Sequence, residues 1–180
     1  VKGDPSNVGP NKVVELDIKQ VGTSNSDRLA EGPLKQSEEG TYDYISGEEG
    51  DDFIYGLKKR DLLQGGSGND EIRAGRGHDI LDGGDGADIL YGGAGQNIFN
   101  SNNDGSVDKI YIQSDFHSHI SVWGREHNGA NADIIPSLGN EDIITILACP
   151  TSELSITELD DGLGIFASGS LEAVVTDDSW

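Results

Sequence analysis

Seven residues set nine apart, Asp43, Asp52, Asp61, Asp70, Asp79, Asp88 and Asn97, put a side-chain oxygen at every ninth position through the middle of the chain. A second register, two residues further on, carries Ile45, Ile54, Leu63, Ile72, Leu81, Leu90 and Phe99. Glycines precede the oxygens, most regularly in GGSGNDEIR (65–73), AGRGHDILD (74–82), GGDGADILY (83–91) and GGAGQNIFN (92–100). The earlier steps, EEGTYDYIS (38–46), GEEGDDFIY (47–55) and GLKKRDLLQ (56–64), keep the register with fewer glycines. Carboxylates repeated beside glycine turns suit the capture of a hard cation by oxygen.

Glycine at positions one, two and four of each repeat supplies backbone angles that a Cβ resists, so the turn can close around a small object with its carbonyl oxygens directed inward. Ca²⁺ takes six to eight oxygens in flexible geometry, whereas Mg²⁺ demands a strict octahedron and zinc prefers nitrogen or sulfur. Several bound Ca²⁺ ions are therefore expected. The side-chain ligands expected are Asp52, Asp61, Asp70, Asp79, Asp88 and Asn97, with Asp43 before them and Asp108, in NDGSVDKIY, after them. Backbone oxygens are expected from Gly47 and Glu49 in one turn and from Gly65, Gly66, Ser67, Gly68 and Asn69 in another. Gly75 and Gly77, then Gly83, Gly84, Asp85, Gly86 and Ala87, and finally Gly92, Gly93 and Gly95 supply the rest.

These ligands need elements that stack them. One apolar side chain per repeat defines a strand of about three residues, and a pair of repeats closes one coil of a right-handed parallel β-roll. Ile54, Ile72 and Leu90 then line one wall, and Leu63, Leu81 and Phe99 the other. Paired strands lie about 4.8 Å apart, so turns from successive coils sit directly over one another. Asp52, Asp70 and Asp88 would form one column and Asp61 and Asp79 another. Such columns repel unless cations lie between their members. The expected order of site strength starts with Asp70–Asp88, followed by Asp52–Asp70 and Asp61–Asp79. Asp79–Asn97, Asp43–Asp61 and Asp88–Asp108 come last, and Lys58, Lys59 and Arg60 should weaken the sites that share Asp61.

The pattern resembles the RTX (repeat-in-toxin) calcium-binding nonapeptide, GGxGxDxUx, found in secreted bacterial proteins, cyanobacterial ones among them. Repeats 65–73 and 83–91 match at every defined position, and 74–82 departs only at Ala74. The resemblance implies an extracellular module at the end of a larger parent protein, exported unfolded by the type I secretion machinery with an uncleaved C-terminal signal. It also implies antiparallel strands capping the end of the roll.

The bulk properties fit this reading. The 180 residues carry a formal charge of −21 and only 34% hydrophobic residues, so the core must be thin and cations are natural partners. Basic grooves with interleaved aromatics are missing, which argues against nucleic acid. No apolar run approaches the ~20 residues of a membrane helix. The lone Cys149 excludes an internal disulfide. The opening residues, VKGDPSNVG, lack the pattern of a secretory signal, and a start at Val1 suggests a processed product or an excerpt.

An all-β chain in three parts is expected. Residues 1–37 hold a strand (VVELDIK, 13–19) and a polar linker, 38–112 the roll, and 113–180 an antiparallel cap. VDKIYI, HISVW, DIITIL, LSITEL, LGIFAS and LEAVV read as strands, and 124–140 as a long loop.

Two other readings compete. His117, His119 and His127, close to Glu126, contain the elements of a zinc site, although no spacing fixes a full ligand set. The C-terminal sheet, with Tyr111, Trp123 and the 124–140 loop, is an alternative surface for a cell-surface or matrix glycan or protein. Neither an HExxH helix nor a GxSxG elbow is present, and no enzymatic activity is expected. A core of one apolar side chain per nine residues offsets too little chain entropy, so the repeats should fold only with Ca²⁺.

Overall fold

Alternation makes the strands. In each repeat the residues at positions six and eight and at position one of the next repeat are buried while their neighbours are more open, as at Asp70, Ile72 and Ala74. That two-residue period is the period of a strand with one face inside. The glycine turn then reverses the chain, and the next repeat builds a strand on the opposite wall.

The computed structural model describes residues 16–30, 42–102, 104–113, 132–138, 142–147, 151–159, 162–167 and 170–176. The strands are β1 (Leu16–Val21), β2 (Arg28–Ala30), β3 (Tyr42–Glu49), β4 (Phe53–Tyr55), β5 (Arg60–Ser67), β6 (Glu71–Arg76), β7 (Ile80–Asp85) and β8 (Ile89–Ala94). β9 (Ile98–Asn100), β10 (Lys109–Gln113), β11 (Asp133–Ser137) and β12 (Ile143–Leu147) follow, then β13 (Leu154–Leu159), β14 (Gly162–Ala167) and β15 (Ser170–Val175). There is no α-helix among the described residues.

Strands from alternate repeats form two sheets. One runs β1-β3-β5-β7-β9-β11-β15-β14-β13 and the other β12-β10-β8-β6-β4-β2. Within the repeats every pairing is parallel and offset by 18 residues, for example Leu63 beside Leu81 and Ile72 beside Leu90. The protein is therefore a parallel β-roll with two repeats per coil. Ile54, Ile72, Leu90 and Ile110 from one wall meet Ile45, Leu63, Leu81, Phe99 and Ile135 from the other, all fully buried. Burying one such side chain contributes roughly 1.5–3 kcal/mol, and each half-coil has only one.

The roll is longer than the regular repeats. β2 lies in the expected polar linker and pairs parallel with β4. β11 lies in the expected 124–140 loop, and it and β12 join the two walls as parallel strands on β9 and β10. The cause is visible in NGANADIIP (128–136) and SLGNEDIIT (137–145), two consecutive nonapeptides that have lost most of their glycines. Among the described strands the antiparallel pairs are β13–β14 and β14–β15, and β15 attaches this meander to β11.

Position nine decorates the outside of the β2–β12 sheet. Arg73 lies over the Tyr91 ring, 4.6 Å from its centroid, and Tyr91 stacks on Tyr111 at 4.4 Å. Tyr111 thus closes a ladder of side chains along the sheet. Trp123 and the histidines at 117, 119 and 127, with Glu126, lie outside the described residues.

Candidate metal centre

Most position-six side chains are placed by their own turn and held by the coil before it. Asp70 Oδ1 accepts the Asp52 amide at 2.7 Å, Asp88 Oδ1 that of Asp70 at 2.8 Å, and Asp108 Oδ1 that of Asp88 at 2.8 Å. The column extends at both ends. Asp52 Oδ1 accepts the Asp27 amide at 2.6 Å, and Asp142 Oδ1 accepts that of Asp108 at 2.9 Å. Along the opposite edge Asp79 accepts the Asp61 amide, Asn97 that of Asp79, and Asp133 that of Asn97. The two columns foreseen from spacing are thus present, and Asp43 sits buried at the start of the second.

The second carboxylate oxygen decides what the columns need. Oδ2 of Asp52, Asp70, Asp79, Asp88 and Asp108 is buried with no hydrogen-bond partner. A buried unmatched oxygen costs roughly 1–3 kcal/mol, and more when charged. The ends of the first column are treated differently. Asp27 Oδ2 accepts the Thr23 amide at 2.7 Å and its hydroxyl at 2.9 Å, and Asp142 Oδ2 accepts the Ser101 hydroxyl at 3.0 Å. Hydroxyl-bearing residues close the ends, while the interior oxygens face a place for a cation.

The electrostatics agree. Burial pushes Asp70 up to about 6, Asp88 to about 7 and Asp108 to about 6, against the lowering effect of the amide each accepts. Burial also raises Asp79 to about 6, although Arg60 opposes it, and raises Asp52. The neighbouring carboxylates add to the rise at Asp52, Asp70, Asp88 and Asp108. Exposed Asp104 is the contrast, because amides of Ser106 (2.7 Å) and Gly86 (2.6 Å) reach its two oxygens and hold it below its ordinary value. Two unit charges at the spacing of paired strands repel by roughly 3 kcal/mol at an effective dielectric constant of ~20. A divalent cation removes both the repulsion and the orphaned oxygens.

The glycines divide into two jobs. Position two, and position four in most turns, take left-handed backbone, as at Gly66 (φ 117°) and Gly68 (φ 134°). Position one has another reason: a Cβ on Gly65 would overlap Asp70 Oδ2 and the carbonyl of Gly83 in the next coil, and Gly47 is confined in the same way by Asp52 and Gly65. The carboxylate is therefore folded against its own turn, beside a neighbouring coil's carbonyl. Among the described residues no three His, Cys, Asp or Glu side chains converge as a metal cluster. Two stacked carboxylates fall short of the six to eight oxygens Ca²⁺ requires, so the balance must come from the turn backbone. That is the backbone of the turns at 47–52, 65–70 and 83–88 on one edge and at 56–61, 74–79 and 92–97 on the other, where the expected Gly, Glu49, Ser67, Asn69, Asp85 and Ala87 positions lie.

Residues 42–63 and 64–99 match the RTX calcium-binding nonapeptide repeat family, in four copies. This segment is an RTX calcium-binding array. No curated protein matches the chain. Donor set and family agree on Ca²⁺. An ion held at these turns would supply positive charge against the stacked carboxylates. The residues that would hold it on the first edge are Asp52, Asp70, Asp88 and Asp108.

Sequence spacing missed Asp27, Asp133 and Asp142. The column register continues through them with offsets of 25, 36 and 34 residues from their column neighbours, because inserted segments interrupt the count of 18. A readable signal remained, since Asp-Ile-Ile occurs at 133–135 and again at 142–144, nine residues later. Asn97 behaves unlike its aspartate neighbours. Its Oδ1 takes the Asp79 amide and its Nδ2 donates to the Gly95 carbonyl at 3.4 Å, so a donor stands where the other repeats have an unmatched oxygen. His78, at position five, is exposed and its Nδ1 accepts the Gln96 amide at 3.0 Å.

Proposed function

We propose that this chain is a calcium-dependent folding module of an extracellular protein, disordered before export and locked into the β-roll by Ca²⁺ outside the cell. The observation that carries the reading is the column of buried carboxylates whose second oxygens have no protein partner. Such a column opposes folding until cations arrive, which couples folding to the ion. Extracellular calcium modules work at dissociation constants of about 10⁻⁴–10⁻³ M, far above cytosolic free calcium, so the switch is thrown by leaving the cell. The larger parent protein and the type I secretion machinery are the partners this role calls for. The module acts by binding ions and not by catalysis.

Limited proteolysis tests the reading. In chelator the repeats should be cut rapidly, and at about 1 mM Ca²⁺, within the range of extracellular modules, residues 42–113 should survive as a protected fragment. Equal protection in both conditions would refute calcium-driven folding.

A further inference from the structure

Lys59 occupies position four of its repeat, where Gly50, Gly68, Gly86 and Gly95 take φ values of 113°, 134°, 127° and 127°. It adopts the same left-handed region, at φ 96°, and bears the strain of a Cβ there. A strained side chain held in a glycine position calls for a reason. Its own location supplies one: Nζ lies 3.9 Å from Oδ2 of Asp43, a fully buried carboxylate, and the Lys59 side chain is only 21% exposed. Neighbouring Lys58 and Arg60 remain exposed. Of the three adjacent cations, the one at the glycine position is thus the partly buried one, with its ammonium beside Asp43.

We propose that the Lys59 ammonium takes the place of a calcium ion at the Asp43–Asp61 end of the second column, so that this site closes without metal. The inference rests on the calcium reading of the other sites. A lysine is a compact point charge on a flexible stem, suited to reach a buried carboxylate from the rim of a turn. It is tethered to the chain, so it needs no external ion and is present before export. The first column has no such device in the corresponding turns, since 47–52, 65–70, 83–88 and 101–108 contain no lysine or arginine. One end of the roll thereby carries a permanent cation, and the rest waits for calcium.

Bound calcium, counted by equilibrium dialysis with atomic absorption on the full chain, tests the substitution. Lys59→Gly restores the residue other repeats use and should bind one ion more than the wild type. Asp43→Asn alone should leave the wild-type count unchanged, and the double variant should lose the ion gained by Lys59→Gly. Lys59→Met, which keeps the stem and drops the charge, should raise the calcium concentration needed for folding several-fold. An unchanged count in Lys59→Gly, an ion lost in Asp43→Asn, or an unchanged folding midpoint in Lys59→Met would overturn the proposal. A wild type that binds no calcium would instead overturn the calcium reading beneath it.

Discussion

The two edges of the roll use the same turn and differ sharply in charge. Turns 47–52, 65–70, 83–88 and 101–108 hold nine carboxylates and no lysine or arginine, whereas turns 56–61, 74–79 and 92–97 hold two carboxylates and four lysines or arginines. On the first edge four successive aspartates, Asp52, Asp70, Asp88 and Asp108, each keep a buried unmatched oxygen. On the second, Asp79 also keeps an unmatched oxygen, but Lys59 reaches Asp43, Arg60 offsets part of the rise at Asp79, and Asn97 replaces a charge with an amide. Stacking carboxylates at strand spacing creates one electrostatic problem with two solutions. One edge imports cations and the other supplies much of its own compensation, which assigns the calcium dependence chiefly to the first.

Exchanging the key residues should exchange the behaviour. Asp88→Asn keeps an acceptor for the Asp70 amide but removes a charge flanked by Asp70 and Asp108. Losing a charged ligand of this kind should cost about 1.5–3 kcal/mol, or roughly a 10- to 100-fold rise in the calcium needed for folding. Asn97→Asp should do the reverse and add an ion to the second edge. Calorimetric titration of both variants checks the pair, and equal effects at the two edges would erase the distinction.

Backbone substitutions should not distinguish the edges. Gly66 (φ 117°) abuts the Glu48 carbonyl and Gly75 (φ 102°) the Leu57 carbonyl, one on each edge. Gly66→Ala and Gly75→Ala should each destabilise the calcium-loaded fold by about 1–3 kcal/mol in thermal unfolding. A large disparity would mean that the turns differ in shape as well as charge.

The smallest effect expected is that of pH. The folded-state values of about 6 for Asp70, 6 for Asp108 and 7 for Asp88 lie above the ordinary carboxylate value, so folding without calcium takes up protons. Stability of the calcium-free roll is therefore greatest in acid and is lost as pH rises through about 6 to 7. Calcium displaces those protons, so its binding should tighten several-fold across the same window and release protons into a weakly buffered solution. Asn97→Asp should enlarge the proton release, and Asp88→Asn should shrink it.

Much of this was legible because the chain counts in nines. The 18-residue offset by itself places Leu63 beside Leu81 and Asp70 beside Asp88. What spacing could not convey was the fate of the second carboxylate oxygen, which depends on how closely Asp70 folds against Gly65. Nor could it carry the register across insertions. Asp142 stacks on Asp108 across an offset of 34 positions because strand pairing depends on three-dimensional stacking and not on sequence count. Glycine loss around 128–145 disguised one further repeat as a loop and the next as a strand of an antiparallel cap, although their Asp-Ile-Ile cores kept both the carboxylate and the apolar position. The charge of the 58–60 cluster was visible, but only the structure shows that Lys59 and not Lys58 approaches Asp43.

The most direct test of calcium-compensated stacking is far-ultraviolet circular dichroism of the full chain, titrated from excess chelator to millimolar Ca²⁺ alongside Asp70→Ala. The account predicts little β-structure in chelator and its cooperative appearance near 10⁻⁴–10⁻³ M, the range of about 0.1–1 mM typical of extracellular modules, with the Asp70→Ala transition shifted to higher calcium. Full β-structure in chelator, with Asp70→Ala indistinguishable from the wild type, would contradict it.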